Sequence, residues 1–324
     1  IADMRLGLDS ARRYYSAWFL PYPWQDLKLS EFPALAQYAQ GFPTDITFSE
    51  GIGFLTRKEK KGDAAFVITA HESAHQWWGN ILTPGYGPGG DILSEGMAHF
   101  STLLLVDQVK GPAGRIEFCK RIESAYGDKR QVDSERPLVK IDGSKPGDET
   151  VTYDKGGWVF WMLLNRMGRE PMFAGLRHFI EMYKDGPDYP VLQDFTREMR
   201  PFAPDTTSYD AFVKQWFFEV KVPEYRLDAA KCAEGDAGSW TVAARLRNAG
   251  AGTMPVEVAA VAGERFGKDG SASADYREAR VTVEPGSGEE REVVIACGFK
   301  PERLMVDPDA LVLQLRRKAA VATL

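Results

Sequence analysis

Cysteine is scarce in this chain. Three cysteines in 324 residues, Cys119, Cys232 and Cys297, are too few for a disulfide framework, and no Cys-x-x-Cys pair offers a metal site. Cys232 and Cys297 fall in the same C-terminal region, where the sequence accommodates either a pair or two small buried thiols. Long apolar runs are missing as well. Nothing approaches the ~18 residues a membrane span needs, and the longest candidate, "WVFWMLL" from Trp158 to Leu164, reads as a buried helix. Positive charge is not in excess: the net charge is -6, which argues against a nucleic-acid partner. There is no internal repeat and no low-complexity tract. The chain opens on Ile1, and no charged segment leads into the apolar core of a signal peptide. It reads as a soluble piece of a longer protein, whose compartment these residues do not record.

What is present is ordinary globular composition, 44% hydrophobic and 27% charged, on a length sufficient for two domains. The first two thirds carry helical patterns after a mixed start. "GDAAFVITAHESAHQWWGNIL" has helical length without proline. "DILSEGMAHFSTLLLVDQVKG" opens at Asp91 and stops at Gly111. "GPAGRIEFCKRIESAYG", "DKGGWVFWMLLNRMG", "EPMFAGLRHFIEMYKDG" and "SYDAFVKQWFFEV" continue the series. After "KVPEYRL" the grammar changes. "SWTVAARLRNAG" alternates, with Val242, Ala244 and Leu246 on one face and Arg245 and Arg247 on the other. "MPVEVAAV", "ARVTVEPGSG", "EREVVIACGF" and "LMVDPDALVLQL" follow between turn residues, which predicts a small β-sandwich. The expected domains are residues 1–222, mainly helical, and residues 223–324, all-β.

Histidine is rarer than its placement suggests. Of four histidines, two bracket a glutamate in "HESAH". On a helix, His71 and His75 lie one turn apart on one face and can direct two imidazoles at one ion. Glu72 stands beside them, the place of a general base next to a zinc site. Given the counts of histidine and acid, chance supplies this pattern roughly 0.007 times in such a chain. A catalytic zinc wants three protein ligands. Glu95, in "LSEGMAHF", lies twenty residues past His75 across a Gly- and Pro-rich reversing segment, and is the preferred third ligand. His99, one turn further, is its rival. His178 has no acids at metal spacing and is assigned no role.

"HESAHQWWGN", "LSEGMAHF" and "TYDKGGWVFWML" together resemble the zinc aminopeptidases of peptidase family M1, gluzincins that include alanyl aminopeptidase and leukotriene-A hydrolase. The resemblance implies an α/β thermolysin-like, mainly helical catalytic domain followed by a small β-sandwich. It implies one Zn2+ per chain on His71, His75 and Glu95, with Glu72 as general base and Tyr153 stabilising the oxyanion. In "TFSEGIGF", Glu50 matches the family's glutamate for the substrate's amino group, while Ser49 and Gly51 replace its Met and Asn. The implied substrate is a peptide with a free amino terminus. The spacing of nineteen residues between His75 and Glu95, with "EFPALAQYAQGFPTDITFSEGIGF", resembles a bacterial subgroup joined to ABC-transporter permeases. That implies a membrane-embedded remainder in the parent protein, and a rival reading as a regulatory, peptide-binding module with little turnover.

Overall fold

The computed structural model describes residues 2–36, 38–53 and 64–324. These fall into two compact units. The first comprises the chain through Val109 together with Arg130–Glu219. The second comprises Val220–Leu324 together with Lys110–Lys129, a segment that sequence reading places with the helical region.

The first unit opens with helix α1 (Ala2–Trp18) and a three-stranded sheet of β1 (Lys28–Phe32), β2 (Ala39–Phe42) and β3 (Asp45–Ser49). The order is β1-β3-β2, with β1 parallel and β2 antiparallel to β3. β2 and β3 are joined by Pro43 and Thr44, the latter at φ +65°. Short helix α2 (Glu50–Gly53) precedes α3 (Ala64–Ala74). Residues 54–63 lie outside the described residues; they include Phe54 of the segment read as resembling the family, and Gly62 and Asp63, where the sequence reading starts its helix.

The expected helix through Leu82 ends at Ala74 instead. Past this point Asn80, Ile81 and Leu82 donate to His75, Gln76 and Trp77, five residues back. The aromatic pair explains the change. Trp77 and Trp78 are both fully buried, and a straight helix would carry them to different sides. The wider turn lets Trp77 donate to the carbonyl of Leu20 at 2.7 Å and Trp78 to Ser101 Oγ at 3.0 Å. Around them pack Tyr15 and Phe19 of the aromatic N-terminal run.

A π-helical turn, Ile92–Gly96, leads into α4 (Met97–Lys129), whose course breaks at Gly111 (φ +69°) before Pro112. Short α5 (Asp148–Thr150) and a second π-turn, Val151–Lys155, lead into α6 (Gly156–Met167). Gly156 to Leu164 are all buried, in keeping with the apolar run there. Helices α7 (Arg169–Tyr183), α8 (Leu192–Met199) and α9 (Thr206–Phe217) complete the unit. Asp205 caps α9 by accepting from the Thr207 and Ser208 amides, as expected of an acid before a helix.

The second unit has two antiparallel sheets. One is β4 (Tyr225–Glu234), β5 (Trp240–Asn248) and β8 (Glu290–Cys297) in the order β4-β5-β8. The other is β6 (Val256–Ala262), β7 (Arg277–Val283), β9 (Arg303–Val306) and β10 (Val321–Thr323) in the order β10-β9-β6-β7. Val242, Ala244 and Leu246 are buried while Arg245 and Arg247 are exposed, the alternation of a strand with one wet face. β4 and β10 have no counterpart in the sequence reading. Cys232 and Cys297 are free. They sit on β4 and β8, with β5 between; two inter-strand spacings, roughly 9–10 Å, exceed the reach of a disulfide. The helical segment contributes Ile116, Phe118, Ile122 and Tyr126 to this core. It also contributes Glu123, whose buried carboxylate receives two 2.7 Å bonds from Arg317.

Candidate metal centre

Four segments of the first unit supply the site. α3 carries His71 and Glu72, and the turn beyond it His75. The first π-turn carries Glu95, and the second Tyr153. The extra residue in each π-turn re-aims one side chain without ending the helix, a device common at functional positions. The two π-turns approach closely because Gly96 and Gly156 have no side chains. A Cβ on Gly156 would stand 3.3 Å from the Gly96 Cα, and one on Gly96 3.1 Å from the Thr152 carbonyl.

Three donor atoms converge. His71 Nε2 is 3.0 Å from Glu95 Oε2, His75 Nε2 is 3.3 Å from the same oxygen, and the two Nε2 atoms are 3.3 Å apart. Ligands at ~2.0–2.1 Å from a tetrahedral zinc stand about 3.3 Å from one another, so the donor set fits that ion in type and spacing. Among the described residues this is the group of three His, Cys or acidic side chains able to share a cation. His99, the rival, approaches the other face of the first ligand, with its Nδ1 3.2 Å from His71 Nδ1.

The electrostatics favour positive charge at the centre. Burial pushes the Glu95 carboxyl up, but hydrogen bonds from His71 and His75 outweigh it and hold the group well below the usual carboxylate range. Burial opposes charge on His75, yet Glu95 and Glu72 lift its pKa above the ordinary value. Glu72 is raised, chiefly by burial, against the pull of both imidazoles. Tyr153 is also raised, by burial first and then by Glu95, so its hydroxyl keeps its proton at neutral pH.

Strand β2 closes one side. Gln76 donates to the Phe42 carbonyl at 2.7 Å and accepts from the Thr44 amide at 2.9 Å. Asn80 donates to the Gly41 carbonyl at 3.2 Å, and the Gly41 backbone favours the charged form of Glu72. The residues just past "HESAH" therefore clamp β2 against α3, a role the sequence reading missed. Gln76 and Asn80, at i and i+4, are the visible trace of it. The cavity so formed, about 530 Å³, is lined by His71, Glu72, His75, Glu95 and Tyr153, by Tyr38 to Gly41, and by Val67 and Ile68 among others. Glu50 is not among the lining residues. It opens α2, and its carboxylate accepts from the Ala34 amide at 3.2 Å.

Residues 10–216 match the Peptidase family M1 domain. The chain is 30% identical over 188 residues to aminopeptidase M1-C of Oryza sativa subsp. japonica, covering 55% of this chain and 21% of that protein. It is 27% identical over 195 residues to endoplasmic reticulum aminopeptidase 2 of Homo sapiens (56% and 19%) and 27% over 201 residues to aminopeptidase N of Lactobacillus delbrueckii subsp. lactis (57% and 23%). The chain thus spans about a fifth of the length of the curated relatives it matches. In fold it is similar to the crystal structure of Legionella pneumophila aminopeptidase A in complex with aspartic acid. The TM-score is 0.62 at 16% identity, with 96% of this chain and 34% of that one covered.

Proposed function

The chain belongs to peptidase family M1, and on that premise we propose that it is a zinc-dependent aminopeptidase, hydrolysing N-terminal residues from peptides on a thermolysin-like catalytic fold. The observation that carries the reading is the convergence of His71, His75 and Glu95, at mutual distances of 3.0–3.3 Å, in a cavity shared with Glu72 and Tyr153. A zinc ion on these three ligands supplies Lewis acidity and lowers the pKa of a water to about 7. Glu72 takes the proton from the attacking water and hands it to the leaving amine, work typically worth ~10²–10⁴-fold. Its burial moves its pKa toward the working pH, where a general base is most effective. Tyr153 donates to the developing oxyanion, a contribution whose loss typically costs ~10²–10³-fold. By its match to the family's glutamate, Glu50 would receive the substrate's ammonium group, although in this structure its carboxylate is bonded to the Ala34 amide and does not line the cavity. The likeness of the Glu50 segment to permease-joined proteins supports a membrane-associated parent. No helix among the described residues is long and apolar enough to cross a membrane.

The test couples metal analysis to hydrolysis of aminoacyl anilides and of paired free and acetylated peptides. The wild-type chain is expected to hold about one zinc and to cleave only the free-amine substrates. E72Q and Y153F are expected to keep the metal and to lose rate by the factors above. Equal product release by wild type and E72Q would defeat the enzymatic reading. Equal cleavage of acetylated peptides would make the activity endopeptidic and remove the role of Glu50.

A further inference from the structure

We infer that His99 is a positioning residue for the metal site, its imidazole accepting a hydrogen bond from His71 and thereby holding that ligand's Nε2 toward the cation. The inference rests on the zinc reading above and adds to it a residue beyond the ligand set.

The ring nitrogens must share their protons in one consistent way. Nε2 of His71 is the atom facing the other two donors, 3.0 Å from Glu95 Oε2 and 3.3 Å from His75 Nε2. To bind a metal that nitrogen must be unprotonated, so the proton of the neutral ring sits on Nδ1. Nδ1 of His71 lies 3.2 Å from Nδ1 of His99. Two imidazole nitrogens at that distance form a hydrogen bond only if one donates and the other accepts. His99 Nδ1 is therefore the acceptor, and the His99 proton moves to its own Nε2. That nitrogen faces Asp154, at 3.8 Å from Oδ1. The distance is long for a direct hydrogen bond but close enough for the carboxylate to favour an N–H on that side. Asp154 is in turn anchored by the Thr150 hydroxyl at 2.8 Å. The order Asp154, His99, His71 leaves a single consistent set of tautomers, ending in a lone pair on His71 Nε2.

Packing holds the same imidazole in place. The Tyr153 ring meets His99 edge-on at 5.5 Å and 89°, and lies against His71 at 5.8 Å and 20°. A Cβ on Gly157 would come within 2.8 Å of the His99 Cβ, so α6 leaves no room for the residue to withdraw. The second histidine ligand is supported differently: His75 Nδ1 lies 3.0 Å from the Trp78 carbonyl and 3.3 Å from Ser94 Oγ. One ligand faces a backbone carbonyl and a hydroxyl, and the other a second imidazole. Outer partners of metal-bound histidines commonly contribute 10–100-fold in affinity.

The experiment compares H99L and H99N in the full chain. The two side chains are close in size, but only asparagine keeps an acceptor. Zinc affinity, measured by competition with a chromophoric chelator, is expected to fall about 10–100-fold in H99L and to be substantially recovered in H99N. The metal-free melting temperatures of the two variants should agree. Equal zinc affinities in the two would overturn the inference while leaving the metal site standing. Absence of zinc from the wild type would overturn both. A second measurement needs no variant: nitrogen-15 NMR of the zinc-loaded wild type should show a protonated His71 Nδ1 coupled across a hydrogen bond to His99. An unprotonated His71 Nδ1 would refute the assignment outright.

Discussion

Gly41 offers a sharp test of how the cavity is walled. Strand β2 runs so close to α3 that a Cβ at this position would stand 2.4 Å from the Glu72 carbonyl oxygen and 3.1 Å from the His75 Cβ. A carbon and a carbonyl oxygen settle at roughly 3.3 Å, so G41A requires β2 to retreat by about 0.9 Å. The obstacle is helix backbone, which has little freedom to yield. The retreat lengthens the Asn80 bond to the Gly41 carbonyl from 3.2 Å past the useful range, and withdraws the Gly41 backbone from Glu72. Overpacking of this kind costs about 1–3 kcal/mol. In a unit of this size that is a melting temperature lower by roughly 2–12 °C. Displacement of a cavity wall by close to 1 Å beside the proposed base is expected to lower kcat/KM by about 10²-fold. No metal ligand is removed, so zinc content should stay at one per chain. Calorimetry, metal analysis and anilide hydrolysis on G41A test the three expectations together, with G87A as control, since a Cβ on Gly87 meets nothing within 4 Å. A G41A chain that melts and turns over like the wild type would mean that β2 does not press on α3, and the account of the cavity would fall.

Two further perturbations follow from buried charge. Lys155 donates to Glu135 at 2.6 Å, both side chains are almost fully buried, and Arg130 holds the other oxygen of Glu135 at 2.7 Å. Lys155 ends the π-turn that carries Tyr153, so K155M, which leaves Glu135 its bond to Arg130, should lower stability by about 1–3 kcal/mol and reduce kcat more than it changes KM; an unchanged kcat would separate the pair from the positioning of Tyr153. In the second unit R317M leaves Glu123 and Asp307 buried without their shared cation. Burial already raises both carboxyls above their ordinary values of 4.5 and 3.8. The folded variant therefore binds protons more tightly than the unfolded chain, and its stability falls as pH rises above those values. Urea melts should show a larger deficit at pH 8 than at pH 5, and a deficit independent of pH would contradict the burial of these acids.

The parts of this molecule that were legible in its sequence are those decided by local spacing. His71 and His75, four residues apart, announce a shared face, and the structure sets their Nε2 atoms 3.3 Å apart. The alternation of β5 announces one wet and one dry face, and its burial follows it. What was not legible depends on contacts across the chain. The helix of the histidine motif stops at Ala74 because two buried tryptophans need different partners, Leu20 and Ser101, and neither is visible from the motif. The segment Lys110–Lys129 reads as one more amphipathic helix. It joins the β-rich unit because Gly111 and Pro112 break it from its predecessor and because Glu123 meets Arg317 nearly two hundred positions on.

His99 shows how the two kinds of information combine. By spacing it is a plausible ligand, one turn past Glu95. Only the placement of α3 beside α4 decides which nitrogen of His71 it meets. Had it met Nε2, it would compete for the cation; meeting Nδ1, it can only act on the ligand from behind. Residues that a motif leaves as rivals for one role are thus sorted by which atom they reach, and the same criterion sets Glu50, bonded to the Ala34 amide, apart from the residues that line the cavity.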